Sequence, residues 1–386
     1  MKGFSQISKG KQRCVICGEN GIISSKLQVC LNCVRENPEE SRQLINSAHR
    51  NVRKPYGLPP KPPRSPGGLE CNLCSNNCKI GSGEKGYCGL RINDGELSSL
   101  SSPNLGLLYY YLDPHVTNCC GAWFCPAGTG SGHPIMAKKQ GPEYGYNNLS
   151  IFFYGCNFNC QFCQNSSHKN LERGNKVSTE ELVSKVKRDK TITCICYFGG
   201  SPEPQLPFSL NLTNELTEIE EGRVLRFCWE WNGCGNPRLV KEAAEVATKS
   251  GGNIKFDLKS YDPDLSLALS GVDNSAAFSN FEMIGREFYN KRPEVPMLTA
   301  TTLLVPGYVD AFEVRKIASF ISDINESIPY SLLLFHPKYA MSDLPFTSYV
   351  QAKSCYAAAT EFLENVHVGN LKILGIRNMR EFINKP

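Results

Sequence analysis

The sequence predicts an α/β protein: a partial (β/α)6 barrel of the TIM type, preceded by cysteine-rich metal-binding modules. From residue 148 onward, short apolar runs typical of buried strands alternate with amphipathic stretches typical of helices. Alternation at roughly 30–45-residue intervals indicates parallel strands joined by right-handed crossovers. Six units over about 200 residues are too few for the eight-unit barrel of about 250 residues, so the predicted barrel is partial.

The predicted barrel elements follow each other along the chain. The strands are predicted at 148–154, 191–198, 223–229, 253–258, 297–304 and 329–335, and the helices at 178–189, 237–249, 277–290, 310–324 and 347–363. Ser178 and Glu181 form a capping box for the first helix. Asn236 caps the second helix, which Gly251 ends. A last apolar run, 371–376, adds a strand or a cover.

The composition is that of an ordinary globular protein. Of 386 residues, 41% are hydrophobic and 20% are charged. The sequence shows neither a run long enough to span a membrane nor a signal-peptide pattern, so we expect a cytoplasmic protein without membrane contact. Nineteen cysteines in a reducing compartment indicate metal binding and not disulfides.

We divide the chain into five segments. These are a zinc-ribbon-like four-cysteine module (1–53), a proline-rich linker (54–68), a second cysteine-rich region (69–147), the barrel (148–345), and a C-terminal helix and cover (346–386). Residues 1–66 contain 12 Lys and Arg against 4 Asp and Glu. This basic arm either contacts nucleic acid or another acidic partner, or is a solvated surface.

Two four-cysteine sets precede the barrel. Cys14, Cys17, Cys30 and Cys33 form two C-x2-C pairs twelve residues apart, the spacing of a tetrahedral zinc ribbon, with an iron–sulfur cluster as the alternative. The second set is Cys71, Cys74, Cys78 and Cys88, whose spacing is compatible with zinc or an iron–sulfur cluster. Five further cysteines are either ligands or buried thiols: Cys119, Cys120, Cys125, Cys228 and Cys234.

Cys156, Cys160 and Cys163 follow the first predicted barrel strand at C-x3-C-x2-C spacing. A loop of this length directs three thiolates at one iron–sulfur cluster. Three ligands on a four-iron cluster leave one iron free. A chance cluster of cysteines or a zinc site is the alternative.

This motif, with Phe162 before its third cysteine, is the signature of the radical S-adenosylmethionine (SAM) superfamily. Residues 148–345 resemble proteins related to pyruvate-formate-lyase-activating enzyme. The other stretches that resemble this family are Gly86 to Leu90, Asp257 to Lys259, Val305 to Gly307 and Phe335 to Pro337.

The resemblance implies that Cys156, Cys160 and Cys163 are the catalytic ligands of a [4Fe–4S] cluster that binds SAM. It implies SAM contacts at the strand ends, at Phe162, Gly199, Gly200, Ser201, Glu203, Glu230, Asp257, Lys259 and His336. The family has an acidic residue where this chain has Ser201, so the partner of the SAM amino group stays open. A structural salt bridge is the alternative for Asp257 and Lys259.

The implied reaction is reductive cleavage of SAM to a 5′-deoxyadenosyl radical, which abstracts hydrogen from a protein or peptide substrate. A low-potential donor of the ferredoxin or flavodoxin type would supply the electron. The alternatives within the superfamily are a cobalamin-assisted C-methyltransferase and a small-molecule enzyme. From another class, the alternative is a metal-stabilised nucleic-acid-binding scaffold, which the salt dependence of binding would identify.

Overall fold

The computed structural model describes residues 11–117, 119–219 and 222–385. The amino-terminal module begins with an antiparallel hairpin of β1 (Lys11–Arg13) and β2 (Asn20–Ile22). Helices α1 (Leu31–Glu36) and α2 (Pro38–Arg53) follow.

The second cysteine-rich region contains two small hairpins. They are formed by β3 (Leu69–Cys71) with β4 (Cys78–Ile80), and by β5 (Arg91–Asn93) with β6 (Leu97–Ser99). The proline-rich segment between the module and this region contacts both: Arg53 Nε donates to the Pro59 carbonyl at 2.5 Å, and Ser65 N to the Lys79 carbonyl at 3.0 Å. The division into five segments stays a prediction.

The rest of the chain builds one large sheet with flanking helices. In chain order the elements are β7 (Leu105–Pro114), α3 (Pro126–Thr129), β8 (Asn147–Phe153), β9 (Asn175–Ser178), α4 (Thr179–Arg188), β10 (Ile192–Gly199), α5 (Leu206–Ile219), β11 (Arg226–Trp231), α6 (Pro237–Ser250), β12 (Ile254–Asp257), α7 (Pro263–Ser270), α8 (Ser275–Phe288), β13 (Leu298–Leu304), α9 (Ala311–Ser322), β14 (Tyr330–Leu334), α10 (Tyr349–Thr360), β15 (Val366–Gly369) and α11 (Met379–Asn384).

The described residues join nine strands in the order β15-β14-β13-β12-β11-β10-β8-β7-β9. From β8 to β15 every neighbouring pair is parallel. β7 runs antiparallel to both β8 and β9 and extends one edge. The fold is therefore an α/β barrel of six predicted parallel units, with extra strands on both edges.

All six predicted strands are confirmed as β8, β10, β11, β12, β13 and β14, and all five predicted helices as α4, α6, α8, α9 and α10. Helices α5 and α7 and strands β7, β9 and β15 were not predicted. Residues 371–376 are not a strand, since a 3₁₀ turn at Leu371–Leu374 follows the left-handed Asn370. They cover the end of the sheet.

Local sequence signals set the helix ends as predicted. The Ser178 hydroxyl accepts a hydrogen bond from Glu181 N at 3.2 Å, but the Glu181 carboxylate accepts from the Tyr110 hydroxyl at 2.7 Å, so the described residues show only the Ser178 half of the predicted capping box. The Asn236 side chain accepts one from Arg238 N at 3.0 Å. Gly251 has φ +80°, the left-handed conformation that ends a helix at low cost.

Alternate residues of the barrel strands face opposite sides of the sheet. Tyr197, Trp229 and Phe256 are fully buried in the apolar core, and the Trp229 ring nitrogen donates to Ser209 of α5. The alternate positions instead line the barrel interior, and these are polar or thiol side chains: Ser150, Cys194, Cys196, Cys228, Glu230, Lys255, Asp257 and Thr301. The inner face of the sheet therefore carries polar and thiol side chains, and the opposite face packs in the apolar core.

The amino-terminal module packs on the barrel through polar contacts. The Tyr308 hydroxyl accepts from Ser24 N and donates to the Val29 carbonyl, both at 3.0 Å. Arg35 pairs with Asp310 at 3.2 Å and with the fully buried Glu313 at 2.7 Å. Within the described residues, every helix is too short or too polar to cross a membrane.

Candidate active site

A cavity of about 240 Å³ lies at the carboxyl ends of the parallel strands. Cys156, Cys160 and Cys163, on the loop after β8, all line it. The ends of β10 to β13 contribute Gly199, Gly200, Ser201, Glu230, Asn232, Lys255, Asp257, Lys259 and Thr301. The topology therefore brings three thiols to the same space as a row of charged side chains.

Buried amides hold the cysteine loop in place. Asn157 and Asn232 exchange side-chain hydrogen bonds at 2.7 and 3.3 Å, and Asn157 also donates to the Cys234 carbonyl at 3.2 Å. From the second cysteine-rich region, Asn76 donates to the Asn157 carbonyl at 2.7 Å. These contacts fix the loop backbone between β11 and the preceding region.

The amino-terminal module also reaches this loop. The His49 ring nitrogen Nδ1 accepts from Asn159 Nδ2 at 2.7 Å and from Gln161 Nε2 at 3.0 Å. Burial, to which the nearby cations Lys169 and Arg53 add, lowers the pKa of His49 to about 4, so the ring is neutral at pH 7.

The sulfurs have hydrogen-bond donors close by. Phe158 N lies 3.3 Å from Cys156 Sγ, and His168 Nε2 lies 3.7 Å from Cys163 Sγ. Burial raises the pKa of the Cys156 thiol above its ordinary value, with Cys160 adding to the effect. A bound metal reverses this by stabilising the thiolates, and hydrogen bonds to the sulfurs tune an iron–sulfur cluster.

The spacing of the three sulfurs fits a cluster better than a single ion. Four thiolates around one zinc ion, each about 2.3 Å from it, lie about 3.8 Å apart. Among the described residues, Cys156, Cys160 and Cys163 do not form a set whose sulfurs all lie within 4.8 Å of one another. The donor set is compatible with the larger four-iron cluster that the motif implies.

Four charges alternate along the ends of β11 and β12. Lys259 Nζ lies 3.0 Å from Asp257, Lys255 Nζ lies 3.1 Å from Asp257, and Lys255 Nζ lies 3.0 Å from Glu230. Burial alone raises the pKa of Asp257, but Lys255 and Lys259 outweigh it and lower that pKa to about 2. The row stays fully ionised at pH 7 and faces the cavity.

The glycines at the end of β10 are required by close packing. A Cβ on Gly200 would lie 2.1 Å from the Gly155 carbonyl oxygen. The Ser201 hydroxyl, next in sequence, accepts from Asn232 Nδ2 at 2.9 Å. Ser201 stands where the family has an acidic residue. Its hydroxyl is therefore already hydrogen-bonded to the Asn232 amide, which also holds the cysteine loop.

Most residues predicted to contact SAM line this cavity: Phe162, Gly199, Gly200, Ser201, Glu230, Asp257 and Lys259. Glu203 and His336 are not among the residues that line it. Glu203 is fully buried and accepts from Gly233 N at 2.7 Å. The sequence did not single out Lys255, although it stands on β12 two residues before Asp257 and lines the cavity.

The first four-cysteine set converges as predicted. Sγ of Cys14 lies 3.8 Å from that of Cys33, and Sγ of Cys17 lies 3.8 Å from that of Cys30. All four sulfurs lie within 4.8 Å of one another. These distances match the value of about 3.8 Å expected around one tetrahedral zinc ion.

The second set is more open. Cys71 and Cys78 are cross-strand partners in the β3–β4 hairpin, and Cys74 interacts electrostatically with the other three thiols, Cys88 first. The four sulfurs do not form a set within 4.8 Å, as far as the described residues extend. They are neighbours, but with a wider spacing than the first set.

Comparison with known proteins agrees with this site. Residues 150–320 match the family model of the radical SAM superfamily. Over 189 residues the chain is 28% identical to a protein of Methanocaldococcus jannaschii named as a glycyl-radical enzyme activating enzyme, which covers 48% of this chain and 66% of that protein. It is 24% identical over 196 residues to the pyruvate formate-lyase-activating enzyme of Clostridium pasteurianum, covering 48% of this chain and 74% of the relative.

Among solved structures, SuiB of Streptococcus suis bound to S-adenosylmethionine is similar at 13% identity and a TM-score of 0.42, covering 57% of this chain and 49% of SuiB. A similarity at that level carries no functional information. The chain spans about two thirds of the archaeal relative and about half of SuiB. Residues 150–320 thus match the radical SAM superfamily, and the chain is similar to the activating enzymes over about half of its length.

Proposed function

We propose that this protein cleaves SAM reductively at a [4Fe–4S] cluster and abstracts a hydrogen atom from a protein or peptide. The observation that carries the proposal is the cavity shared by Cys156, Cys160 and Cys163 with the charged row at the strand ends. When bound, the cluster and SAM supply the electron transfer and the 5′-deoxyadenosyl radical. The protein orients both and excludes water.

In this proposal the three cysteines hold the cluster, and the charged row orients SAM. Lys259 Nζ, next to Phe162 and paired with Asp257, is suited to the SAM carboxylate. Asp257 is suited to a hydroxyl or cationic group, since its low pKa keeps it an acceptor. Ser201 and the glycines before it let the ligand approach the strand end closely.

A protein or peptide substrate is supported by the names of the curated relatives, which describe enzymes that activate other enzymes. We propose a low-potential electron donor of the ferredoxin or flavodoxin type and a reducing, cytoplasmic location, where the thiols would stay available to metal. The matched regions cover about half of the chain, so the segment before the barrel is free to add a function of its own.

We propose zinc for Cys14, Cys17, Cys30 and Cys33, whose sulfurs have the separation that one ion requires. We propose an iron–sulfur cluster for Cys71, Cys74, Cys78 and Cys88, whose sulfurs are spaced more widely. The second region also contacts the cysteine loop of the barrel directly through Asn76, which suits electron transfer between the two sites.

The test is anaerobic incubation of the reconstituted protein with SAM and a low-potential reductant, with nucleosides identified by mass spectrometry. We expect 5′-deoxyadenosine, and its loss when Cys156, Cys160 and Cys163 are all changed to alanine. Cys355→Ser, a buried thiol on α10 outside these sets, is the control and should retain the product. S-adenosylhomocysteine as the main product would instead indicate methyl transfer, and no SAM cleavage by a cluster-loaded protein would refute the proposal.

A further inference from the structure

A second cavity, of about 630 Å³, lies inside the barrel next to the first. The two cavities share the lining residues Gln164, Asn165, Glu230, Lys255, Leu333 and Asn370. Because they share these walls, a group bound in the second cavity is adjacent to the proposed site of radical formation.

The second cavity is unusually rich in thiols. The cysteines that line it are Cys119, Cys120, Cys125, Cys194, Cys196 and Cys228. One subset converges with a carboxylate: Cys119 Sγ, Cys120 Sγ and a Glu230 oxygen all lie within 4.8 Å of one another. Cys196 Sγ lies 3.6 Å from Glu230 Oε1, on the edge of the same group.

Cys194 belongs to a different environment. Arg226 Nε donates to Cys194 Sγ at 3.1 Å, and the same guanidinium makes a buried pair with Glu143 at 2.6 Å. Cys194 is therefore already partnered by a cation. The cation that lines the cavity with Cys119 and Cys120 is Lys255, which Glu230 and Asp257 share.

The chemistry of the converging subset is that of a metal site. Two thiolates and one carboxylate are ligands that zinc and ferrous iron accept, and three protein ligands leave a fourth position open. Lys255 Nζ holds the second carboxylate oxygen, Glu230 Oε2, at 3.0 Å, which orients Oε1 toward the thiols, as outer-shell partners of metal ligands do. Thr301 Oγ1, at 3.4 Å from Cys120 Sγ, supports one sulfur in the same way.

The charges also balance. Two thiolates and one carboxylate carry three negative charges, of which Lys255 neutralises one and a divalent cation would neutralise two. Without a cation, the Glu230 carboxylate faces sulfur atoms, which are weak hydrogen-bond partners.

We propose that Cys119, Cys120 and Glu230 bind one thiophilic divalent cation, zinc or ferrous iron, inside the barrel. Its open coordination position faces the cavity and takes a donor atom of the molecule bound there, such as a thiolate or carboxylate. The metal site does not depend on the proposed SAM reaction. Binding of a substrate donor at the open position does rest on that reaction.

The experiment compares the metal content of the full-length protein with that of Cys120→Ser and Glu230→Gln variants after anaerobic incubation with Zn²⁺ and removal of unbound metal. We expect the wild type to hold about one equivalent more than either variant, counted by inductively coupled plasma mass spectrometry. Cys125→Ser, which changes a thiol in the same cavity but outside the proposed ligand set, should retain the full content. Circular dichroism verifies that each variant folds. If Cys120→Ser does not fold, the metal content of Glu230→Gln decides the test.

Anomalous diffraction at the zinc and iron edges would then locate the ion and identify it. Anomalous density between Cys119, Cys120 and Glu230 would support the site. The absorption edge at which that density appears would distinguish zinc from iron. Equal metal content in the wild type and both variants, or an equal loss in Cys125→Ser, would overturn it. Since metal content is read without any reaction, failure here is distinct from failure to cleave SAM.

Discussion

The two four-cysteine sets ahead of the barrel have the same number of thiols but different geometry. In the first set, pairs of sulfurs lie 3.8 Å apart and all four are compact. In the second set the thiols are neighbours without that compactness. The difference teaches that a count of cysteines alone does not predict how the sulfurs are spaced, and our proposal of one ion for the first set and a cluster for the second rests on that spacing.

The two sets also differ in what they contact. The first module packs on the barrel through Tyr308 and Arg35, and His49 of α2, outside its four-cysteine set, contacts the cysteine loop. The second region lies behind the cysteine loop, where Ser75 N donates to the Cys234 carbonyl at 2.9 Å. Tyr87 of this region is fully buried and interacts electrostatically with Cys78 and with the barrel cysteines Cys156 and Cys160.

This difference gives the two regions separate tasks in our interpretation. A zinc ion in the first module would stabilise a segment with little core of its own. A cluster in the second region would lie next to the loop that holds the radical SAM cluster. Three experiments test this comparison.

The largest effects are expected from removing one ligand in each set. Cys33→Ser should lose about one zinc per chain and the order of the first module, because binding of structural zinc contributes roughly 10 kcal/mol to folding. Cys74→Ser should lose about four iron and four sulfide and retain the zinc. Metal and sulfide analysis measures the losses in both variants, and limited proteolysis measures the order of residues 11–53.

Cys355→Ser is the control, because this thiol lies in neither set. The comparison would be wrong if Cys74→Ser lost zinc and retained all of its iron, or if the two variants lost the same metal. A SAM-dependent change in the electron paramagnetic resonance spectrum of reduced Cys74→Ser would show that the barrel cluster is intact.

An intermediate effect is expected where the first module meets the barrel. Gly307 has φ +79°, and a Cβ there would lie 2.1 Å from the Ile22 carbonyl oxygen of β2. Gly307→Ala should therefore cost about 3 kcal/mol and loosen the module, through strain and a backbone clash. Thermal unfolding and proteolysis of residues 11–53 measure this.

Gly67→Ala is a matched control for the backbone strain alone. Gly67 has φ +67° with no atom within 4 Å of its Cβ position, so its substitution should cost only about 1 kcal/mol. Equal losses at the two positions would show that the contact with Ile22 contributes nothing.

The smallest effect is a pH dependence at His49. Its pKa is about 4 in the folded protein, where burial disfavours the charged ring, and about 6.5 when unfolded. Between these values the unfolded chain binds a proton that the folded chain does not, so stability falls as pH drops from about 6.5 to about 4, by up to roughly 3 kcal/mol.

His49→Gln removes this titration and retains hydrogen-bonding groups toward the Ala268 carbonyl and the loop amides. The stability difference between wild type and variant should shift by about 1 kcal/mol in favour of the variant from about pH 7.5 to pH 5.5. Unfolding by denaturant at the two pH values measures it. Parallel pH profiles would contradict the neutral, buried role of His49.

Local patterns in the sequence were sufficient for much of the fold and part of the site. The C-x3-C-x2-C loop, the six barrel strands and the caps at Ser178 and Asn236 are each encoded within about ten residues. Alternation of strand and helix then implies parallel strands, whose ends meet on one side. That rule, together with the resemblance of Asp257 to Lys259 to the activating-enzyme family, selected Asp257 and Lys259, which line the cavity.

Other features depended on tertiary packing. Helix α5 begins with apolar residues at alternate positions, Leu206, Phe208, Leu210 and Leu212, a strand-like pattern, yet it is helical because neighbours bury it on several sides. Glu203 stands two residues after the position where the family has an acidic residue, and the 3₁₀ turn there buries its side chain against Gly233 N, away from the lining of the cavity.

The proximity of Cys119 and Cys120 to Glu230 shows the limit most clearly. About a hundred residues separate these partners in the chain, and no spacing rule links them. They meet because β11 directs Glu230 into the barrel and the segment after β7 folds across the same opening. The sequence by itself determined which residues carry metal-binding chemistry, since local spacing sets short loops. Only the tertiary structure decided which of them share a site, because long-range contacts depend on how every intervening element packs.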